Sequence, residues 1–214
     1  MRSNRGETKE QDMMRFNYKA AALLFFIFGT ILRILLYWSN PPNNAFDDHF
    51  SPIFLIMSSG TTPAKDACWQ CYHPPVFYWG SAMVGNIALN MGATFPQILK
   101  LLQFISCFYG ILTVGVIYLI LSKLPLSNFS RLVAFSTVCF LPRHVYMSAM
   151  NSNDAISYFF VSLSIYSLLI VIERKLPPLI LLVTSIIISV TLFTKYTSYV
   201  VLPIVLMSLS QSLF

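Results

Sequence analysis

Apolar and polar positions in this chain are arranged in long blocks. After a polar, basic lead over 1–19, apolar runs cover 20–38, 76–91, 98–121, 132–146, 155–172, 179–193 and 199–213. Runs of this length predict helices that cross or lie against a bilayer, because about twenty residues at a rise of about 1.5 Å span the hydrocarbon. A transmembrane barrel would alternate apolar with polar positions. The polar block at 40–75 separates the first run from the rest, and short connectors carrying SKLPLSNFSR, ERKLPP and TKYTS join the later ones.

The run at 76–91 decides the topology. It has sixteen residues and contains Gly80, Gly85, Asn86 and Asn90, which places it below the usual length of a span. If it crossed, the loops with Lys123/Arg131 and Arg174/Lys175 would face outward, against the tendency of Lys and Arg to stay inside. If it lies in the interface, both loops share the cytoplasmic side with the N-terminus. The second arrangement is expected. It predicts an all-α polytopic membrane protein with about six transmembrane helices and interfacial helices in the first outer loop. A cytoplasmic segment covers 1–19 and one transmembrane helical domain covers 20–214. Asp47, Asp48, His49, Arg143, His144, the 151–154 segment and Lys195 then all fall on the outer face. There is no internal repeat, and the last run ends without a polar tail, so part of a longer protein is expected.

Composition supports the membrane reading. Charged residues make up 10% of the chain and hydrophobic ones 56%, with a mean hydropathy of +0.67, whereas soluble domains carry about 25% charged residues. A soluble enzyme, a disordered tail, a collagen-like fibre and a disulfide-dense secreted module are excluded. The net charge of +6 sits mostly between apolar runs and is read as topological, so no nucleic-acid partner is expected. The lead is too long and mixed for a secretory signal, which makes the first run a retained anchor.

Candidate chemistry lies in the polar connections. FDDHF at 46–50 places Asp47 and Asp48 together just after the anchor: a helix cap near Phe50, a general base, or a metal ligand. Asp154, in NSND, reads as a cap neighbour or as an acid at the mouth of the bundle. Arg143, His144 and Lys195 read as snorkelling side chains or as cations for a phosphate leaving group. Arg33, inside the first span, is costly to bury unless an anion or a carboxylate pairs with it. In CWQCYHPPVFYW (68–79), Cys68 and Cys71 could form a disulfide, act as a redox pair, or join His73 at a metal. Pro74 and Pro75 precede a helix start. Cys107 and Cys139 lie in apolar runs as packing residues.

The order of these motifs resembles the membrane glycosyltransferases of the GT-C fold, nearest the protein O-mannosyltransferase and aminoarabinose-transferase group. The elements that carry it are the acidic motif in the first outer loop, HPP opening an aromatic helix, a proline-marked turn before an N-D-A helix start, and the LFTKY turn. The resemblance covers nearly all of 20–210 and corresponds to the N-terminal half of such a protein. It implies transfer of a sugar from a polyprenyl phosphate to an acceptor, with inversion. The catalytic acid would fall on Asp47 or Asp48 and a second acid on Asp154. The substrate-binding set would be His49, His73, Arg143, Lys195 with its neighbour Tyr196, Lys100 (where the family often has Arg) and Arg33. The family's Ser-Arg pair before the helix of Asp154 is replaced here, with Arg143 displaced upstream. No cofactor is certain, and a divalent metal stays open. The expected partners are a polyprenyl-phosphate-linked sugar and membrane lipid, in a prokaryotic plasma membrane or, alternatively, the endoplasmic reticulum. No glycine-rich loop for a nucleotide-sugar donor is present. The competing readings are a transporter, a thiol-redox membrane protein using Cys68 and Cys71, and an inactive fragment.

Overall fold

The computed structural model of the chain describes residues 17–43, 47–173 and 178–213, and these are helical with short connections. The polar lead over 1–16, Phe46 of the FDDHF motif and the loop cations Arg174 and Lys175 lie outside the described residues. The helices are α1 (Tyr18–Ser39), α2 (Phe50–Ser59), α3 (Val76–Asn90), α4 (Phe95–Lys123), α5 (Asn128–Phe140), α6 (Pro142–Ser148), α7 (Asn153–Glu173), α8 (Pro178–Leu192) and α9 (Val201–Leu213), with a 3₁₀ turn at Tyr196–Val200 before α9.

Local sequence sets the ends. The Asn17 side chain accepts from the Ala20 N–H to start α1. Thr94 and Gln97 form a reciprocal capping box at α4, satisfying two amides that an uncapped helix leaves open. Ser127 accepts from the Ser130 N–H at α5. Gly60, at φ +66°, ends α2 in the left-handed conformation that glycine adopts without strain. One expected run divides: 132–146 becomes α5 and α6, with Leu141 extended between them. Pro142 is the cause, because the residue before a proline is pushed out of the helical region.

Among the described residues, three helices are long and apolar enough to cross a membrane: α1, α4 and α7. Shorter apolar helices are α2, α8 and the stretch Tyr196–Ser208. This is an integral membrane protein. The exposed surface fits that reading, since Leu23, Leu24, Phe28, Phe104, Leu179 and Ile186 present large apolar side chains outward, a cost in water but not in lipid.

Hydrogen bonds fix which helix ends lie together. The Lys100 Nζ, in the first turns of α4, donates to the Tyr37 and Asn40 carbonyls at the end of α1, at 3.1 and 3.2 Å. The Asn151 N–H, just before α7, donates to the Pro42 carbonyl. Lys195, just after α8, pairs with Asp154 at the start of α7. These contacts define one end of the bundle, called the Asp154 end below. At the opposite end, Lys123 pairs with Glu173.

Both ends of α3 belong to the Asp154 end. Its first residue, Val76, donates its N–H to the Phe193 carbonyl after α8. Its last turn leads through Gly92 and Ala93 into the cap of α4. Consequently α3 starts and finishes on one side. It packs with α2 against the N-terminal half of α4 through Ile53, Ile56, Phe77, Ala82, Ile98 and Leu102. A second core, centred on Val114, Leu121, Phe135 and Cys139, joins α1, α4 and α5.

Candidate active site

The two adjacent carboxylates have different surroundings. The Asp48 carboxylate accepts from the backbone N–H of Phe50 (3.0 Å) and of Ser51 (3.3 Å), and from the Ser51 hydroxyl. These amides are the free donors of α2, so Asp48 caps that helix. Its carboxyl is held below the ordinary value: burial alone would raise it, and the Ser51 and Phe50 hydrogen bonds outweigh that.

Asp47 faces away from that cap. The Gln70 amide donates to Asp47 Oδ1 at 2.7 Å. His49 Nε2 lies 3.2 Å from the same oxygen, an electrostatic approach off the line of a well-directed hydrogen bond. Burial holds the Tyr78 hydroxyl well above its ordinary value, and it shares a hydrogen bond of 2.9 Å with His49 Nδ1. Proximity of His49 holds the Asp47 carboxyl below its ordinary value, opposed by partial burial and helped by the fields of Lys195 and Arg143. Asp47 stays 31% exposed, which leaves a lone pair open to a substrate.

On the facing elements, Asp154 is 8% exposed and pairs with Lys195, which is 13% exposed. Arg143 Nη2 lies 3.5 Å from the other Asp154 oxygen and is 70% exposed, so it also faces solvent. Arg143 sits upstream of the family's usual position, yet α6 carries it back to the start of α7. The cap of α7 is also not the expected one. The Ser152 hydroxyl accepts the Asp154 N–H at 3.1 Å, so neither Asn153 nor Asp154 is needed for that role and the Asp154 carboxylate is free to hold cations.

His73 lies between the two groups. Its ring is 6.0 Å from His49 and 6.3 Å from Tyr196. Partial burial, with Lys195 and His49 nearby, lowers its pKa to about 4, so it is neutral near pH 7. The His73 Nδ1, the Gln70 Oε1 and the Asn151 and Asn153 amides are buried with no hydrogen-bond partner among the described residues. Buried polar atoms are normally satisfied, so this mouth carries capacity for polar partners.

The remaining expected residues lie elsewhere. Lys100 is engaged by the Tyr37 and Asn40 carbonyls and by Gln103 Oε1, so it closes the C-terminus of α1. Arg33 is fully buried. It donates to the carbonyls of Gly29 (2.8 Å) and Cys139 (2.9 Å) and to His144 Nδ1 at 2.6 Å, tying α1 to α5 and α6. Cys68 and Cys71 are bonded to each other, which removes both thiolates from a metal site with His73. Among the described residues, no group of three or more His, Cys, Asp or Glu is placed to hold a metal ion. Sequence reasoning missed Gln70, Tyr78 and Gln103. Gln70 lies inside the CWQC motif and was readable as polar, but its partner 23 residues upstream was not.

Asp47, 31% exposed, thus lies within the field of Lys195 and Arg143. The family model for dolichyl-phosphate-mannose-protein mannosyltransferase matches residues 71–214. The chain belongs to that family. The matched region holds His73, Arg143, Asp154 and Lys195, while Asp47, Asp48 and His49 lie before it. Neither a curated protein nor a solved structure matches the chain. As a member, the chain is a glycosyltransferase of the membrane, as the motif order implies.

Proposed function

We propose that the chain transfers a sugar from a polyprenyl-phosphate donor to an acceptor hydroxyl at the Asp154 end of the bundle, with Asp47 as base. The supporting observation is the arrangement of Asp47 opposite Lys195 and Arg143. In the step, the acceptor oxygen attacks the anomeric carbon and its proton passes to Asp47. The bond from that carbon to the phosphate oxygen breaks, its electron pair goes to the phosphate, and the configuration inverts. Charge builds on the leaving phosphate, where fixed cations lower the barrier most. Arg143, exposed and adjacent, is placed to meet it, with Lys195 behind. Asp154 is a positioning residue that holds both cations. Asp48 shapes the loop by capping α2. His49 and Gln70 orient Asp47.

A cavity of about 410 Å³ lies between α3, α4 and α7, lined by Phe77, Gly80, Val84, Phe108, Tyr109 and Ile156 among others. Ile156 is two residues from Asp154, so the cavity suits the first isoprene units of the donor beside the phosphate. The family's description names dolichyl-phosphate-mannose and protein, which makes mannose and a protein hydroxyl the donor sugar and acceptor to test first. In this reading the bundle has six crossings (α1, α4, α5 with α6, α7, α8, and the 3₁₀ turn with α9), and α2 and α3 rest in the interface. The N-terminus is cytoplasmic and the Asp154 end lies outside.

The test is transfer by the chain in proteoliposomes, with dolichyl-phosphate-mannose and a serine- and threonine-rich peptide. Asp47→Asn is expected to lower turnover by about 10²-fold or more, and Asp48→Asn, which keeps one acceptor for the α2 cap, to lower it far less. Equal turnover for wild type and Asp47→Asn at matched folded protein removes Asp47 as base.

A further inference from the structure

The opposite end of the bundle holds a cavity of about 500 Å³ where α1 and α5 begin and α4 ends. Its rim is polar and basic: Asn17, Lys19, Asn128 and Arg131. Lys19 is exposed. Arg131 donates to the Leu121 carbonyl at 2.9 Å and, through Nη2, to the Leu124 and Leu126 carbonyls at 3.4 Å, neutral acceptors that leave its charge at the rim. The starts of α1 and α5 also turn partial positive charge toward this space. A second cavity, of about 300 Å³, adjoins it and shares Lys19, Ala22, Tyr118 and Phe135. That one is apolar and continues along α1 and α4 past Leu23, Phe26 and Gly115. From Lys19 to Phe26 is about 10 Å along the helix axis, roughly the step from headgroup to acyl chain.

A cationic mouth leading into an apolar arm matches an amphiphile with an anionic head. We infer that this end binds one anionic glycerophospholipid of the adjoining leaflet, its phosphate at Lys19 and Arg131 and an acyl chain in the arm beside Gly115. Basic pockets between transmembrane helices recognise anionic headgroups in this way. The site lies at the end of the bundle away from Asp47 and Asp154 and is independent of the sugar-transfer reading.

Gly115 offers a clean probe, because a Cβ added there meets nothing within 4 Å. Gly115→Leu therefore starts from an uncrowded Cβ and occupies part of the arm. The experiment uses the purified chain in neutral detergent, titrated with dioleoyl-phosphatidylglycerol, dioleoyl-phosphatidylcholine or inorganic phosphate. Bound lipid is counted by native mass spectrometry, and unfolding is followed with a fluorogenic maleimide that reports release of the buried Cys107 and Cys139. Phosphatidylglycerol is expected to form a one-to-one adduct and raise the unfolding temperature, at concentrations at least about tenfold below those at which phosphatidylcholine does so. Gly115→Leu and Lys19→Gln are each expected to weaken that adduct about tenfold while unfolding near the wild-type temperature in lipid-free detergent. Equal response to both lipids, an undiminished adduct in Gly115→Leu, or inorganic phosphate reproducing the full shift would each overturn the assignment. So would the absence of any adduct.

Discussion

Replacing Asp154 by Asn strands a buried cation. Lys195 is 13% exposed and pairs with Asp154, so the variant leaves its ammonium facing a neutral amide in a poorly solvated site. Breaking a buried pair in this way costs about 3–5 kcal/mol, and the retained amide oxygen places the expected loss near the lower figure. Lys195→Met is different, because Asp154 keeps Arg143 at 3.5 Å. That guanidinium is mostly in solvent, and an exposed partner at this distance contributes about 1 kcal/mol. The expected loss is about 2 kcal/mol. The double variant removes both charges and retains only a packing defect, about 2 kcal/mol. A coupling of about 3 kcal/mol between the two sites follows. The maleimide unfolding assay reads it directly, since about 1 kcal/mol moves the midpoint of a chain this size by roughly 2–4 °C. Asp154→Asn should therefore lower the midpoint by about 6–12 °C, and adding Lys195→Met should return part of it. Additive losses would show that the two side chains do not depend on each other. A larger loss for Lys195→Met than for Asp154→Asn would refute the role given to Arg143.

Three further outcomes test other parts of the structure. His73 is neutral in the folded chain down to a pKa of about 4, while an unfolded imidazole takes its proton near pH 6.5; stability therefore falls as pH drops from about 6.5 to 4, and His73→Asn should reduce that slope in unfolding midpoints measured across pH. Asp47 adds nothing in that window, because its lowered folded value makes its contribution present above the ordinary carboxylate value of about 3.9 and lost only below it; an unchanged slope in His73→Asn would assign the effect to another group. Gly110→Ala places a Cβ 2.4 Å from the Ser148 Cβ and should cost about 1–3 kcal/mol by overpacking, with Ser148→Gly restoring most of the midpoint and Ser148→Ala not; equal rescue by both would mean the hydroxyl alone is the obstacle. Replacing Cys68 and Cys71 by Ala opens a very short loop worth about 2 kcal/mol at most and should leave sugar transfer within about threefold of wild type. A loss as deep as that of Asp47→Asn would favour thiol chemistry over the carboxylate.

Residue order carried the helices and the family because both depend on local pattern: apolar runs of spanning length, and short motifs at fixed order. For α3, charge in short loops favours an interfacial position, and the bonds from Val76 to Phe193 and into the α4 cap put both of its ends on one side, as that proposed position requires. Pairing was not legible, because it depends on which helix ends meet. The sequence required a partner for Arg33 inside a span. It could not say that two carbonyls and His144 would serve, since a carbonyl leaves no mark in side-chain pattern. The same reasoning explains Lys100, which fits the family's basic position by order but is taken up by the end of α1. For Asp47 and Asp48 the local sequence allowed both a cap and a base; geometry gives the cap to Asp48 and leaves Asp47 for the base role proposed above. One carboxylate holds the amides of α2 and so fixes the loop. The other is thereby turned outward, toward Gln70, His49 and the field of Lys195. The adjacency of the pair then has a physical reason: a base at the end of a loop needs a rigid neighbour, and a carboxylate locked onto a helix start supplies one a single residue away. Removing the cap should accordingly loosen the base before it unfolds the bundle, so Asp48→Asn, which keeps one acceptor oxygen, should harm transfer less than Asp48→Ala, which keeps none. Equal transfer by the two variants at matched folded protein would separate the cap from the chemistry.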